Sequence, residues 1–223
     1  MKIFRKGVRL LGDDEAVERA AKAILECKED YTPSDLSPGQ DRAIRAIRSC
    51  PVTFITGQAG TGKTHVAMLA AIEWKKRIVV SRPVVESGEK LGYLPGTMDE
   101  KLAPFIRPLE DAAAKTGGRF KPTLEVAPLA FMRGRTFDDS FVILDEGQNT
   151  TVEQMILAIT RLGVNSKMVI TGDEEQSDLR CVNGLTYMLD RLESMPSVGH
   201  VHLTSEDQHR NPVVQEILDA CRI

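Results

Sequence analysis

Cysteine is scarce and scattered in this chain. Cys27, Cys50, Cys181 and Cys221 are the four among 223 residues, and they form no CxxC pair. That spacing offers neither a zinc knuckle nor a disulfide framework, and it suits a reducing compartment. An excess of charge is also missing. With 29 basic and 32 acidic residues the formal net charge is −3, so composition supplies no general pull toward nucleic acid or an anionic membrane. A polyanion partner would need a local basic patch. The opening stretch MKIFRKGVRLLGDDEAVERA is basic at first but has no sustained apolar core and no small-residue cleavage site, and no run approaches a bilayer span. A cytoplasmic chain without a membrane partner is the expectation. Internal repeats and low-complexity tracts are absent as well.

What is present is ordinary for a folded soluble chain, with 42% hydrophobic and 27% charged residues. The length suits one large domain, or one domain with a small appendage. Residues 14–28 place Val17, Ala20, Ala21, Ile24 and Leu25 on one helical face. The loop EDYTPSDLSPGQ then punctuates the chain, dividing an appendage at 1–35 from a main domain at 36–223. Ser37 and Pro38 are suited to the N-cap and first turn of a new helix. Beyond it, five apolar runs rich in β-branched residues alternate with helical patterns: VTFIT (52–56), RIVVS (77–81), FVILD (141–145), MVITG (168–172) and HVHLT (200–204). Near-continuous apolar strands separated by helices predict a parallel sheet covered on both faces, a three-layer α/β domain. Between about 83 and 135 the prolines at 83, 95, 104, 108, 122 and 128 predict an elaborated insertion.

The most informative stretch is VTFITGQAGTGKTH, Val52 to His65. Gly57, Gln58, Ala59, Gly60, Thr61, Gly62, Lys63 and Thr64 match G-x-x-x-x-G-K-[ST], directly after an apolar strand and directly before the helical pattern that begins at Thr64 and His65. Glycines let backbone N–H groups converge on phosphates, and the following helix adds the positive end of its dipole. Lys63 would reach the β and γ phosphates, and Thr64 would ligate Mg²⁺. A glycine-rich turn that binds nothing is the plain alternative, and the strand-to-helix setting argues against it.

FVILDEGQN ends its strand on Asp145 and Glu146, placing two carboxylates at the carboxyl end where α/β sheets bind ligands. Asp145 is then a metal-shell residue, and Glu146 is placed to orient and deprotonate a water attacking the γ phosphate. After the next apolar run, MVITGDEEQSDL offers Asp173 and Gln176. The Gln176 amide is a candidate for touching the γ phosphate or the attacking water, with a solvated turn as the alternative.

Taken together these stretches resemble the PhoH family of ATPases, related to the motor cores of superfamily 1 helicases. The resemblance runs from about residue 36 to the end. It is carried by GQAGTGKT, by SRPVVESGEKLGYLPGTMDEKLAPFIRPL (81–109), by AFMRGRTFDDSFVILDEGQN (130–149), by VITGDEEQSDL (169–179) and by HRNPVVQEIL (209–218). It implies a RecA-like core with five parallel strands, binding ATP with Mg²⁺. It further implies that Gln40 in LSPGQDRAI reads the adenine edge, where a surface helical glutamine is the alternative. Arg210 resembles the family's late arginine, which contacts the γ phosphate in cis or from a neighbouring subunit. The chain departs from the family in Gly147, where alanine is common; this is expected to loosen the loop. It departs again in HRNP, where an arginine–histidine–proline order is usual, and the form expected is compact, without a fused nuclease domain.

Two functions follow as expectations. One is an ATP-driven enzyme acting on single-stranded RNA or other nucleic acid, a helicase or remodeller. Arg82, Lys90, Lys101, Arg107, Arg119, Lys121, Arg133 and Arg135, with Tyr93, Phe105, Phe120 and Phe131 between them, would furnish its grip. For any single member of that set, a solvated base or a core aromatic is the alternative. The other is an ATPase regulatory or assembly module acting on a protein partner, which the mildly acidic composition favours. A single RecA-like core, by analogy with two-core helicases, calls for a neighbouring copy and so for a homo-oligomer, as in a hexameric ring.

Overall fold

The computed structural model describes residues 36–83, 124–179 and 182–208. Within them six strands form one sheet: β1 Val52–Gly57, β2 Arg77–Ser81, β3 Leu124–Val126, β4 Ser140–Leu144, β5 Lys167–Gly172 and β6 Val198–Leu203. Their order is β3-β2-β4-β5-β1-β6 and every pairing is parallel. Without β3, five strands remain in the order β2-β4-β5-β1-β6, with the phosphate loop leaving the strand next to the β6 edge. That is the RecA-like P-loop arrangement. The expected count of five is therefore corrected to six. The addition lies at the edge of the sheet, in the stretch that its prolines led us to read as irregular.

Among the described residues four α-helices cover the sheet: α1 Pro38–Ser49, α2 Lys63–Trp74, α3 Val152–Ile159 and α4 Gly184–Leu192. Strand alternation sends Ile55, Ile78, Val80, Phe141, Ile143 and Val169 to one face, where they pack with α1 and α2 residues. Phe54, Val79, Val142, Leu144, Met168 and Ile170 go to the other face and pack with Met155 and Ala158 of α3 and Leu185 and Met188 of α4. Burial on both faces explains why β1, β4 and β5 read as unbroken apolar runs. No helix among the described residues is long and apolar enough to cross a membrane.

The start of α1 follows its sequence closely. The Ser37 hydroxyl accepts from the Gln40 N–H at 3.1 Å and the Gln40 side-chain carbonyl accepts from the Ser37 N–H at 3.2 Å, with Pro38 in the first turn. This reciprocal cap satisfies two donors that the helix itself leaves without partners. At the opposite end of the sheet, the Lys167 ammonium donates to the carbonyls of Arg48, in the last turn of α1, and Cys50, its C-cap, at 3.0 and 2.9 Å. It lies 4.9 Å from the ring centre of Trp74, the last residue of α2. Burial draws the Lys167 pKa below that of a solvated lysine.

The edge strand β3 is tied in by charge. Buried Glu125 receives Arg77 at 3.2 Å and Arg135 at 2.5 Å, and both guanidiniums lie over the ring of Phe137. Arg135, expected in a nucleic-acid grip, thus has a partner inside the fold. Phe131, in a short 3-10 turn, is 56% exposed, and for it the core alternative fails.

Candidate functional site

β1 ends at Gly57, and the loop from Gln58 to Gly62 delivers the chain into α2. Two of its glycines are required by shape. Gly57 has φ +138° and a Cβ there would stand 2.3 Å from the Leu203 carbonyl oxygen. Gly62 has φ +86° and its Cβ would meet the Gln40 amide nitrogen at 2.6 Å. These are backbone conformations that L side chains rarely adopt. Gly62 is also the N-cap of α2 and supplies no side-chain cap, so no side chain competes for the first N–H groups of the helix. Ala59 and Gly60 are exposed at the turn, whereas Thr61 is buried and its hydroxyl donates to the Gln58 carbonyl at 2.9 Å. The Lys63 ammonium folds back across the loop, donating to the carbonyls of Gly57 at 2.5 Å and Gln58 at 2.9 Å. His65 stands in the same first turn.

Thr64 and Asp145, 81 residues apart in sequence, meet directly: the threonine hydroxyl donates to Asp145 Oδ1 at 2.9 Å. The Thr171 hydroxyl donates to the same oxygen at 2.5 Å, and Asp145 is only 4% exposed. A hydroxyl and a buried carboxylate held together are hard oxygen donors of the kind Mg²⁺ takes. The described residues hold no group of three or more His, Cys, Asp or Glu able to bind a metal alone. Mg²⁺ commonly takes one or two protein oxygens and completes its shell with water and phosphate. The donor set therefore fits the ion, and the loop fits phosphates.

Glu146 follows in the left-handed region, φ 56° and ψ 45°. Its two carboxylate oxygens have different partners. Arg82, just past the end of β2, donates to Oε1 at 2.9 Å and stands 4.0 Å from Asp145 Oδ2. The Gln148 amide donates to Oε2 at 2.6 Å. Arg82, expected in a nucleic-acid grip, touches the two acids in this structure. Gln148 went unassigned although it stands two residues past Glu146 in DEGQN, the one signal that would have found it. It is 2% exposed, and its carbonyl accepts from the Asp173 N–H at 3.0 Å. Asn149 and Asp178 add a reciprocal pair of bonds at 3.1 and 3.0 Å. The loop after β4 is thus stapled to the loop after β5. Gln176 lies exposed on that second loop, with its N–H toward the Asp173 carbonyl at 3.4 Å. At Gly147, expected to loosen the turn, a Cβ would meet Ile170 Cγ2 at 2.8 Å. Close packing is its reason.

Gln40 is 1% exposed, which excludes a surface glutamine. Its amide donates to the Thr61 carbonyl at 3.0 Å and reaches toward the Asp207 carbonyl at 3.4 Å. Asp207 is itself buried. Its Oδ1 accepts from the Ser37 hydroxyl at 2.6 Å and the Gly39 N–H at 3.0 Å, and its Oδ2 accepts from the Thr204 N–H at 2.9 Å. The phosphate loop, the start of α1 and the turn after β6 are therefore one hydrogen-bonded unit. Sequence reading missed Asp207, since nothing local marks a partner some 170 positions away. Arg210, the helix expected over 14–28, and Lys90, Lys101, Arg107, Arg119, Lys121, Tyr93, Phe105 and Phe120 lie outside the described residues.

Comparison with known proteins places these motifs in context. The family described as PhoH-like protein matches residues 34–222. A PhoH-like protein of Mycobacterium tuberculosis H37Rv is 46% identical over 195 residues, covering 81% of this chain and 55% of its own length. The PhoH-like protein of Bacillus subtilis 168 is 37% identical over 246 residues, covering 98% and 77%. Protein PhoH of Escherichia coli K12 is 40% identical over 193 residues, covering 79% and 54%. The chain thus spans about half the length of the mycobacterial and E. coli relatives. Among solved structures, the Pif1 helicase from Candida albicans aligns over 82% of this chain and 42% of its own, with a TM-score of 0.40 and 16% identity.

Proposed function

The chain belongs to the PhoH-like family, and from that premise we propose that it binds ATP with Mg²⁺ and hydrolyses the γ phosphate. The observation that carries the reading is the meeting of Thr64 with buried Asp145 at 2.9 Å, which brings the phosphate loop and the acid pair to one point. The N–H groups of the Gly57–Thr64 loop and the first turn of α2 would hold the phosphates, and Lys63 would trade its two carbonyl partners for phosphate oxygens. Thr64 and Asp145 would hold Mg²⁺, which when bound neutralises charge on the β and γ oxygens. Glu146 would orient the attacking water and take its proton, and Gln148 would fix the carboxylate that does so. Gln176, on the loop stapled to Gln148, would sense the terminal phosphate. Gln40 would act on the nucleotide first through the loop it braces; an adenine edge would reach its amide by displacing a bond such as the one to Thr61.

Hydrolysis would drive a change of grip on single-stranded RNA or another nucleic acid, in a homo-oligomer where Arg210 completes a neighbouring site. The second reading, an ATPase regulatory or assembly module acting on a protein partner, is favoured by Arg135, which pairs with an acid of the chain itself. One set of assays separates these readings. Lys63→Ala should lose nucleotide affinity. Glu146→Gln should keep it while turnover falls by about 10²- to 10⁴-fold, and undiminished turnover would remove Glu146 from its role. Single-stranded RNA that changes neither turnover nor a salt-dependent binding signal would sink the nucleic-acid reading in favour of the protein partner.

A further inference from the structure

Arg82 is the residue the proposed chemistry does not use, yet it touches the group on which that chemistry depends. Its guanidinium lies 2.9 Å from Glu146 Oε1 and 4.0 Å from Asp145 Oδ2, and its side chain is about a quarter exposed. The sheet order places it on a particular side. β2 neighbours β4 on the flank away from β5 and β1, so Arg82 approaches the acids from the side opposite the phosphate loop. Gln148 engages the remaining oxygen, Oε2, at 2.6 Å. The carboxylate of Glu146 is therefore held by one donor at each oxygen, and turning it toward a water at the γ phosphate requires giving up a charge-assisted bond.

We propose that Arg82 is a positioning residue that latches Glu146 in a resting arrangement, and that a backbone phosphate of a single nucleic-acid strand releases it. The proposal rests on the ATPase reading above and concerns the regulation of that same site. A planar guanidinium is well matched to phosphate, so a phosphate oxygen competes directly with the carboxylate for it. The flank matters here: a strand arriving beside β2 would reach the partly exposed arginine without entering the nucleotide cradle. Release is then a population shift, in which a ligand that binds the freed arginine draws Glu146 into its working position.

The test measures ATP turnover of the full chain with and without oligouridylate, in wild type, Arg82→Ala and Arg82→Lys. The expected result is that Arg82→Ala turns over ATP several-fold faster than wild type without RNA, at an ATP KM changed less than two-fold. Oligouridylate should raise the wild-type rate and leave that of Arg82→Ala unmoved, with Arg82→Lys keeping part of the restraint. A merely structural arginine would not produce a higher kcat at constant KM. An Arg82→Ala rate equal to or below wild type overturns the latch. A raised rate with no wild-type response to oligouridylate upholds the latch and overturns the strand phosphate as its release. If wild type turns over ATP and the variant does not exceed it, only this inference falls; if both bind ATP and neither hydrolyses it, the ATPase reading falls as well. A double-mutant cycle of Arg82→Ala with Glu146→Gln, read by thermal melting, checks the pair without using activity: additive changes in Tm would show no coupling and overturn the contact itself.

Discussion

A single buried amide, Gln148, links the acid that would activate water to the loop that would sense phosphate. Its nitrogen serves Glu146 and its carbonyl serves the Asp173 N–H. Truncation removes both bonds at once and leaves a buried N–H with no partner, which costs about 1–3 kcal/mol. Gln148→Ala should therefore lower the unfolding free energy by that amount, read as a lower midpoint of urea unfolding at unchanged m, and turnover should fall with ATP affinity nearly intact. Loss of affinity with unchanged stability would contradict this account. The positions of Lys63 and Thr64 at a helix start and of Asp145 just past a strand could be read from sequence, because each of the two motifs is defined by local spacing. Arg82 and Glu146 could not be paired that way. They are 64 positions apart, and only the adjacency of β2 and β4 makes them neighbours.

Among the elements, α1 best shows how local signals and distant contacts combine. Its N-cap was legible, since Ser37 and Pro38 carry the pattern on their own; the part of Gln40 in the cap and the tie to the turn after β6 were not. β3 escaped because three residues are too few to display a period, and Glu125 interrupts what apolar run there is. The tie through Asp207 predicts a pH response. Burial acts to raise its pKa, but the Ser37 hydroxyl, the N–H groups of Thr204 and Gly39, and the nearby Arg42 outweigh burial and hold it below the ordinary carboxylate value. A depressed acid contributes stability that is fully present above the unfolded-state pKa, about 3.9 for aspartate, and is lost as pH falls toward the folded value. Wild type should consequently lose more Tm than Asp207→Asn when pH is lowered from about 5 to below 4, narrowing the gap between them. Parallel melting curves over that range would show that Asp207 contributes nothing through its charge.

At the scale of the molecule, the described residues hold one RecA-like core, and the proposed homo-oligomer would set a neighbouring copy beside its nucleotide site. The sequence supports this by architecture alone, through the single phosphate loop. If Arg210 acts across an interface, mixing Arg210→Ala with Lys63→Ala subunits should restore turnover that neither preparation shows alone. Sedimentation should then find assemblies larger than one chain when ATP is present. A monomer that hydrolyses ATP at full rate would place the arginine in its own site.

The indole at position 74 closes α2 at the end remote from Lys63. Twelve helical residues put about 18 Å between those ends. Since the chain carries no other tryptophan, intrinsic fluorescence surveys the floor of the sheet, where Lys167 lies beside the ring. Emission should register denaturation without any added dye, yet stay almost blind to events at the nucleotide pocket, for which a separate optical probe has to be engineered.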